Sequence, residues 1–330
     1  MLTLKRKTLM IGFYSRGASL VFSGAFFAIA ALISVKQAAG QTQSVDRAEL
    51  LRTQTGSPFG PTVTTSGVDD GHAVASPNDP DLGEQAILKR VEEYQPFTIA
   101  VGSPFYWTSN VALANEGEQD DFLVAPSVMA SYRPRITRTL YADFTVSEQL
   151  FYYDRFDSFN FGSFDAAAGL TYYLPQFHNL ILHGGYHYNR LTEDGSFDDF
   201  YSNHSLDISA ELPFRFGRAQ QLSIGTGAHI SLTGDPEPPR RNDFEVYIGY
   251  SVRVTRGLTI DAAGRLVVRD YYHDGRTDVT EILALSANYR VFKCLTASAI
   301  SSFAANQSNH GVFDYEVANI GGAVALSIKF

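Results

Sequence analysis

From Phe97 onward the chain alternates between apolar and polar or small side chains in segments of about 10–15 residues, each bounded by turn-forming residues. A period of two puts successive side chains on opposite faces of an extended strand, so each segment predicts a strand with one apolar and one polar face. The segments run near 97–107, 121–133, 138–151, 162–174, 179–190, 203–216, 220–233, 243–254, 257–271, 278–291, 294–305 and 316–330. In the third, Leu140, Ala142, Phe144, Val146 and Leu150 oppose Asp143, Thr145, Ser147 and Gln149. In the eighth, Phe244, Val246, Ile248, Tyr250, Val252 and Val254 oppose Glu245, Tyr247, Gly249, Ser251 and Arg253.

The connections between these segments alternate in length. Short ones hold Arg133-Pro134-Arg135, Pro175 to His178, Gly217 to Ala219, Thr255 to Gly257 and Phe292 to Cys294. Long ones contain Glu116 to Asp121, Asp154 to Ser158, Glu193 to Asp199, Asp235 to Asp243, His273 to Asp278 and Gln307 to Asp314. Tyr152, Tyr186, Tyr188, Tyr201 and Tyr272 fall near the long connections, and Tyr132, Tyr172, Phe214, Tyr289 and Phe330 near the short ones. Two aromatic belts flanking an apolar band account for this distribution, although aromatic residues also fill ordinary cores.

The last ten residues, Gly321 to Phe330, carry the same alternation to the end of the sequence. Val324, Leu326, Ile328 and Phe330 share one face, while Ala323, Ala325, Ser327 and Lys329 share the other. This ending resembles the closing strand of bacterial outer-membrane β-barrel proteins, and the porin-like likeness extends over residues 97 to 330. The resemblance implies an antiparallel up-and-down barrel placed in the bacterial outer membrane. It also implies recognition of the terminal strand by the barrel-assembly machinery, and contact with outer-membrane lipid and lipopolysaccharide. An even strand number with short turns toward the periplasm would put both mature chain ends there.

The chain upstream reads differently. Lys5, Arg6, Lys7 and Arg16 precede an apolar stretch from Gly17 to Val35, and Ala38-Ala39-Gly40 supplies small residues for cleavage before Gln41. This predicts a signal peptide over 1–40, with a retained anchor helix as the alternative. Residues 41–95 read as a periplasmic linker, rich in Gly, Pro, Ser and Thr from Thr53 to Pro80. A short helix is expected over 82–93, opened by the Asp81/Glu84 capping-box pattern and closed by Pro96; it either ends a solvated tether or docks at the mouth of the barrel or in its lumen. The fold expected is therefore all-β, a transmembrane barrel of about twelve strands over 96–330, preceded by a disordered segment and a short helix.

Composition narrows the function classes. Hydrophobic residues make up 45% of the chain and charged residues 18%, yet no segment after the N-terminal one is long enough for a membrane helix. Cys294, the single cysteine, excludes an intramolecular disulfide framework. A formal net charge of −9 argues against a nucleic-acid partner.

Strand parity turns a distinctive set of polar residues toward the barrel interior. Asp143, Asp165, Asp207 and Glu211 fall on the third to sixth strands, and Arg253, Arg265, Arg269, Arg290 and Lys329 on the eighth to twelfth. Facing acidic and basic walls would impose a transverse field on an aqueous channel. The same charges would close the lumen by pairing across it, and Arg215, Glu245 and Asp261 break the segregation.

His183, His187 and His229 share lumen parity, and with Asp207 on an intervening strand they have the residue types of a metal site. Sequence names no partner that would fix their rings, so polar filling of the lumen is the reading adopted, with no metal and no cofactor. Ser202 and His204 share a face at the start of the sixth strand, but no third member of a hydrolytic set stands at a recognisable spacing. Acidic residues, among them Asp121 and Asp278, outnumber Arg240, Arg241 and Arg276 in the long connections. The functional expectation is a small diffusion channel for ions or small polar solutes. The alternatives are a non-conducting barrel that anchors or serves envelope assembly, and an outer-membrane lipid hydrolase.

Overall fold

The computed structural model describes residues 42–52, 94–193, 198–217 and 219–330. The signal peptide expected over 1–40 and the helix expected over 82–93 lie outside them. Twelve strands close into one antiparallel barrel: β1 Phe97–Thr108, β2 in two pieces Asp121–Val124 and Ser127–Tyr132, β3 Leu140–Tyr153, β4 Phe161–Leu174, β5 Leu180–Glu193, β6 Asp199–Phe216, β7 Gln220–Asp235, β8 Arg241–Arg253, β9 Leu258–Tyr271, β10 Thr277–Arg290, β11 Leu295–Ser308 and β12 Tyr315–Lys329. Each strand pairs with its sequence neighbours, and β1 pairs with β12 from Thr98↔Lys329 to Thr108↔Asn319. Closure leaves no strand with an open edge.

The seam is secured at the short-turn end. Phe97 and Phe330 exchange backbone hydrogen bonds of 3.0 Å in both directions, and their rings stack with centroids 5.6 Å apart. Phe97 also stacks on Tyr132 at 4.3 Å, and Tyr132 on Phe144 at 6.2 Å. The interruption in β2 falls at Ala125-Pro126, where proline has no N–H for the ladder. There Ala125 donates to the Pro104 carbonyl of β1, and the Pro126 carbonyl accepts from Leu150 of β3.

The outer face carries the apolar residues that parity assigns to it. Phe144, Val146, Ile208, Phe244, Val246 and Ile248 are all exposed, Ile208 to 57% of its surface, as a wall that lipid covers requires. Tyr132, Tyr172, Tyr289 and Phe330 stand exposed toward the short turns, and Tyr152, Tyr186 and Tyr272 toward the long loops. Tyr201 departs from the expected outer belt. On β6 its odd-numbered position points inward with Asn203, Ser205 and Asp207, and the ring is buried in the lumen. Among the described residues no helix is long and apolar enough to cross a membrane.

Residues 42–52 form a helix, α1, where sequence reading placed the start of a linker. At 11 residues it is too short to be stable alone in water, so its contacts must hold it. Val45, Ala48 and Leu51 join one buried cluster with Tyr106, Leu123, Phe151, Tyr153 and Phe161. Leu50 joins a second with Leu113, Val267, Ile282, Ala304, Tyr315 and Val317. Apart from Leu113, which lies in a long loop, the strand residues of both clusters point inward from the long-loop half of the barrel. The helix therefore lies in that half of the lumen. Burying Val45, Leu50 and Leu51 contributes about 1.5–3 kcal/mol each.

Candidate functional site

The polar side of α1 meets charges on several strands. Asp46 is buried, and its carboxylate accepts from Arg276 Nη2 at 3.1 Å, from the Tyr271 hydroxyl at 3.0 Å and from Arg241 Nη1. Arg241 and Arg276 are themselves oriented by Asp243 and Asp278, each through a 2.9 Å bond from Nε. Glu49 Oε2 lies 3.7 Å from Arg241 Nη2 and 3.8 Å from Arg52 Nη1. At the end of the helix, Arg52 Nη2 meets Asp165 Oδ1 of β4 at 2.5 Å. Arg47 points the other way, donating to the Val111 carbonyl at 3.4 Å with its guanidinium 4.2 Å from the Phe159 ring centre.

These contacts set the protonation of the helix carboxylates. Burial pushes the Asp46 carboxyl up, but Arg241, Arg276 and Arg269 outweigh it and hold the group below its ordinary value. Burial likewise opposes ionisation of Glu49, and Arg52 and Arg241 overcome it, bringing its pKa to about 2. Both are anions at neutral pH. Burial works against the Arg52 cation too, yet Asp165 and Glu49 raise its pKa. Acids on α1 thus face the arginines around β8 to β10, and its terminal arginine faces Asp165 on β4. The helix is ion-paired on both sides of the lumen.

The lumen residues singled out from sequence all stand at inward-facing positions, but they do not form two continuous charged walls. Asp143 is paired on its own side, 2.9 Å from Arg133 Nε and 2.5 Å from the Thr171 hydroxyl. Glu211 accepts from the Tyr247 hydroxyl at 3.0 Å. The Tyr247 ring lies over Gly225, where an added Cβ would come within 2.2 Å of it. Arg269 is buried beside the Tyr315 hydroxyl, 3.5 Å away. Arg253, Arg290 and Lys329 end their strands at the short-turn side and are exposed, while Arg265 lies between them and the helix. His183 meets Thr171 at 3.1 Å, whereas His187 and His229 come together with Asp207.

Several residues of the site escaped the sequence reading. Arg241, Arg276 and Asp278 looked like loop charges, yet they are buried at the long-loop mouth, where Asp46 of α1 completes the partners of the two arginines and Asp278 accepts from Arg276 and Asn306. Asp121 is buried as well, its carboxylate accepting from the backbone N–H groups of Arg155 and Phe156 at 3.2 Å. Ser202 and His204 turn to the outer face. His204 Nδ1 there meets the Tyr186 hydroxyl, and its ring packs 4.7 Å from that of Tyr188.

Comparison with solved structures places the fold among outer-membrane β-barrel proteins. An outer membrane channel from Pseudomonas putida F1 superposes with a TM-score of 0.51 at 14% identity, over 72% of this chain and 98% of that one. The translocator domain of the autotransporter NalP from Neisseria meningitidis follows at 0.42 and 10%, over 72% and 90%. The outer membrane channel DcaP of Acinetobacter baumannii stands at 0.41 and 6%, over 70% and 96%. No protein-family model and no curated protein matches the sequence.

Proposed function

We propose that this outer-membrane barrel is a channel for ions or small polar solutes that α1 holds closed. The observation that carries the reading is how the helix is seated: its acids and Arg52 occupy the lumen as ion-pair partners of the wall. Ionic contacts weaken when a charge is neutralised, and together with the apolar contacts of Val45, Leu50 and Leu51 they set the cost of vacating the seat. About 40 residues separate α1 from β1, a contour long enough to let the helix leave the lumen while the barrel stays closed. With α1 gone, Arg241 and Arg276 would keep Asp243 and Asp278 as partners, and Arg269 beside them would leave the mouth with an excess of positive charge that attracts anions.

In this reading the short turns and both mature ends face the periplasm. The long loops, rich in acidic residues, face outward, where divalent cations would bridge them to lipopolysaccharide phosphates. The barrel-assembly machinery would read the β12 ending of Val324, Leu326, Ile328 and Phe330. The protein does no chemistry on its solutes.

Solute uptake by proteoliposomes tests the reading. Liposomes carrying a variant lacking 42–52 should swell in small sugars and amino acids, and faster than liposomes carrying the whole protein. If neither protein admits solute while both are folded, the barrel serves as an anchor and the channel reading fails.

A further inference from the structure

Beneath α1 the lumen gathers two imidazoles and a carboxylate from three adjacent strands. His187 of β5, Asp207 of β6 and His229 of β7 each offer a ligand atom, and these atoms all lie within 4.8 Å of one another. The two imidazole rings are edge to face, 5.7 Å between centres at 68°. His229 Nδ1 is in contact with the Asp207 carboxylate. We propose that these three residues form a binding site for a divalent transition metal of the zinc type, an inference that does not depend on whether the barrel conducts.

Two nitrogens and an oxygen suit zinc, cobalt and nickel better than calcium or magnesium, which take oxygen ligands. The contact between His229 and Asp207 is a ready-made ligand pair, in which the metal would take the place of the proton between nitrogen and oxygen. Tetrahedral ligation at about 2.0–2.1 Å sets ligand atoms about 3.3 Å apart, so the most separated pair needs to close by at most about 1.5 Å while His229 Nδ1 and the Asp207 oxygen, already in contact, part to admit the ion. A cavity of about 20 Å³ beside them is lined by Glu49, Arg52, His187, Asn189, His229 and Asp243. That is room for one water-sized ligand to complete the coordination.

The sequence named no partner that would hold these rings; the fold supplies one. Asp165 Oδ1 accepts from His187 Nε2 at 2.9 Å, which in the neutral ring makes Nδ1 the nitrogen with a lone pair to offer a metal. A carboxylate behind a ligating imidazole fixes its tautomer and raises its basicity. The same Asp165 oxygen binds Arg52 of α1 at 2.5 Å and Asn189 Nδ2 at 3.0 Å. Asp207 offsets one of the charges the metal brings; Glu49, Asp165 and Asp243 lie around the site with Arg52 and Arg241 as their ion-pair partners.

Folded full-length protein in detergent, titrated with Co2+ and then Zn2+, tests the site. One ion should bind per barrel, with visible cobalt absorption of a nitrogen- and oxygen-ligated centre that zinc abolishes. His187→Gln, His229→Gln and Asp207→Asn should each weaken binding about tenfold or more, and Asp165→Asn should do so about 10–100-fold by releasing the His187 ring. Replacing the exposed His178, His273 and His310 with alanine should leave binding unchanged. Heat-modifiable migration reports folding, and any one of the four lumen variants that stays folded suffices for the comparison. No cobalt spectrum from folded protein, or an equal spectrum and affinity from whichever of the His187, His229, Asp207 and Asp165 variants is folded, overturns the proposal.

Discussion

Asp46 on α1 and Arg276 before β10 lie 3.1 Å apart although 230 residues separate them in sequence. Neither group has water to fall back on, since both are buried and the Arg276 guanidinium also lies 4.0 Å from the Tyr271 ring centre. Their contact ties the first described element of the chain to the long-loop mouth of the barrel.

Replacing Asp46 with alanine leaves Arg241 and Arg276 buried with one fewer anion. Breaking a buried pair costs about 3–5 kcal/mol where the partner is left uncompensated, and less here because Asp243 and Asp278 each keep a bond to one arginine; what is lost is the bond between the helix and the wall. Asp46→Ala should therefore free α1 while the barrel remains heat-modifiable. A nitroxide on Gln43→Cys, with Cys294→Ser to remove the native thiol, should change from a slow to a fast spectrum. A slow spectrum in both proteins would show that the apolar contacts alone hold the helix.

Acid should release the helix as well. The docked pKa of Glu49 is about 2, against an ordinary 4.5, and that of Asp46 lies below its ordinary 3.8. Depressed carboxyl pKa values mean that these groups stabilise docking fully above the free values, and that the contribution is lost as pH falls through the docked ones. The same nitroxide should stay immobile from pH 7 to about 5 and gain mobility between about pH 4.5 and 2. Mobility that instead rises toward high pH contradicts the assignment.

The seam makes a third test. A Cβ at Gly321 would lie 1.9 Å from the Phe105 carbonyl oxygen, a backbone atom that cannot move without shifting β1. At Gly264 the nearest neighbour would be the Leu283 side chain at an ordinary 3.5 Å. Gly321→Ala should sharply reduce the heat-modifiable fraction, and Gly264→Ala should leave it unchanged. Equal yields of the two would place the closure of the sheet elsewhere.

The outer wall gives a fourth. Arginine at Ile208 or Ile248, both more than half exposed to the surrounding lipid, should cost about 2–4 kcal/mol near the bilayer midplane. Arginine at Ser209, which faces the lumen, should cost less. Urea titrations in lipid vesicles measure both, and similar losses on the two faces would contradict the inward and outward assignments.

The barrel was legible in the sequence because its determinants are local. Alternation in β3, β6 and β8 records which face meets lipid, and each turn announces itself in a few residues. Parity then carried Asp165, Asp207, His187 and His229 to the interior without any knowledge of partners. The seat of α1 was not legible for the opposite reason. Val45, Ala48 and Leu51 have helical spacing, and Arg47 to Arg52 are mostly good helix formers. What stabilises them is contact with residues up to 230 positions away. Arg241 and Arg276 read as loop charges because their burial depends on a helix whose destination local sequence does not encode.

Single-channel recording in planar bilayers measures the central claim, that α1 closes a lumen which otherwise conducts. The whole protein should remain closed for most of the record at neutral pH. The variant lacking 42–52 should be open for most of it, and Asp46→Ala should flicker between the same two levels. Equal open times and equal conductance with and without α1, both proteins being folded, would contradict the account.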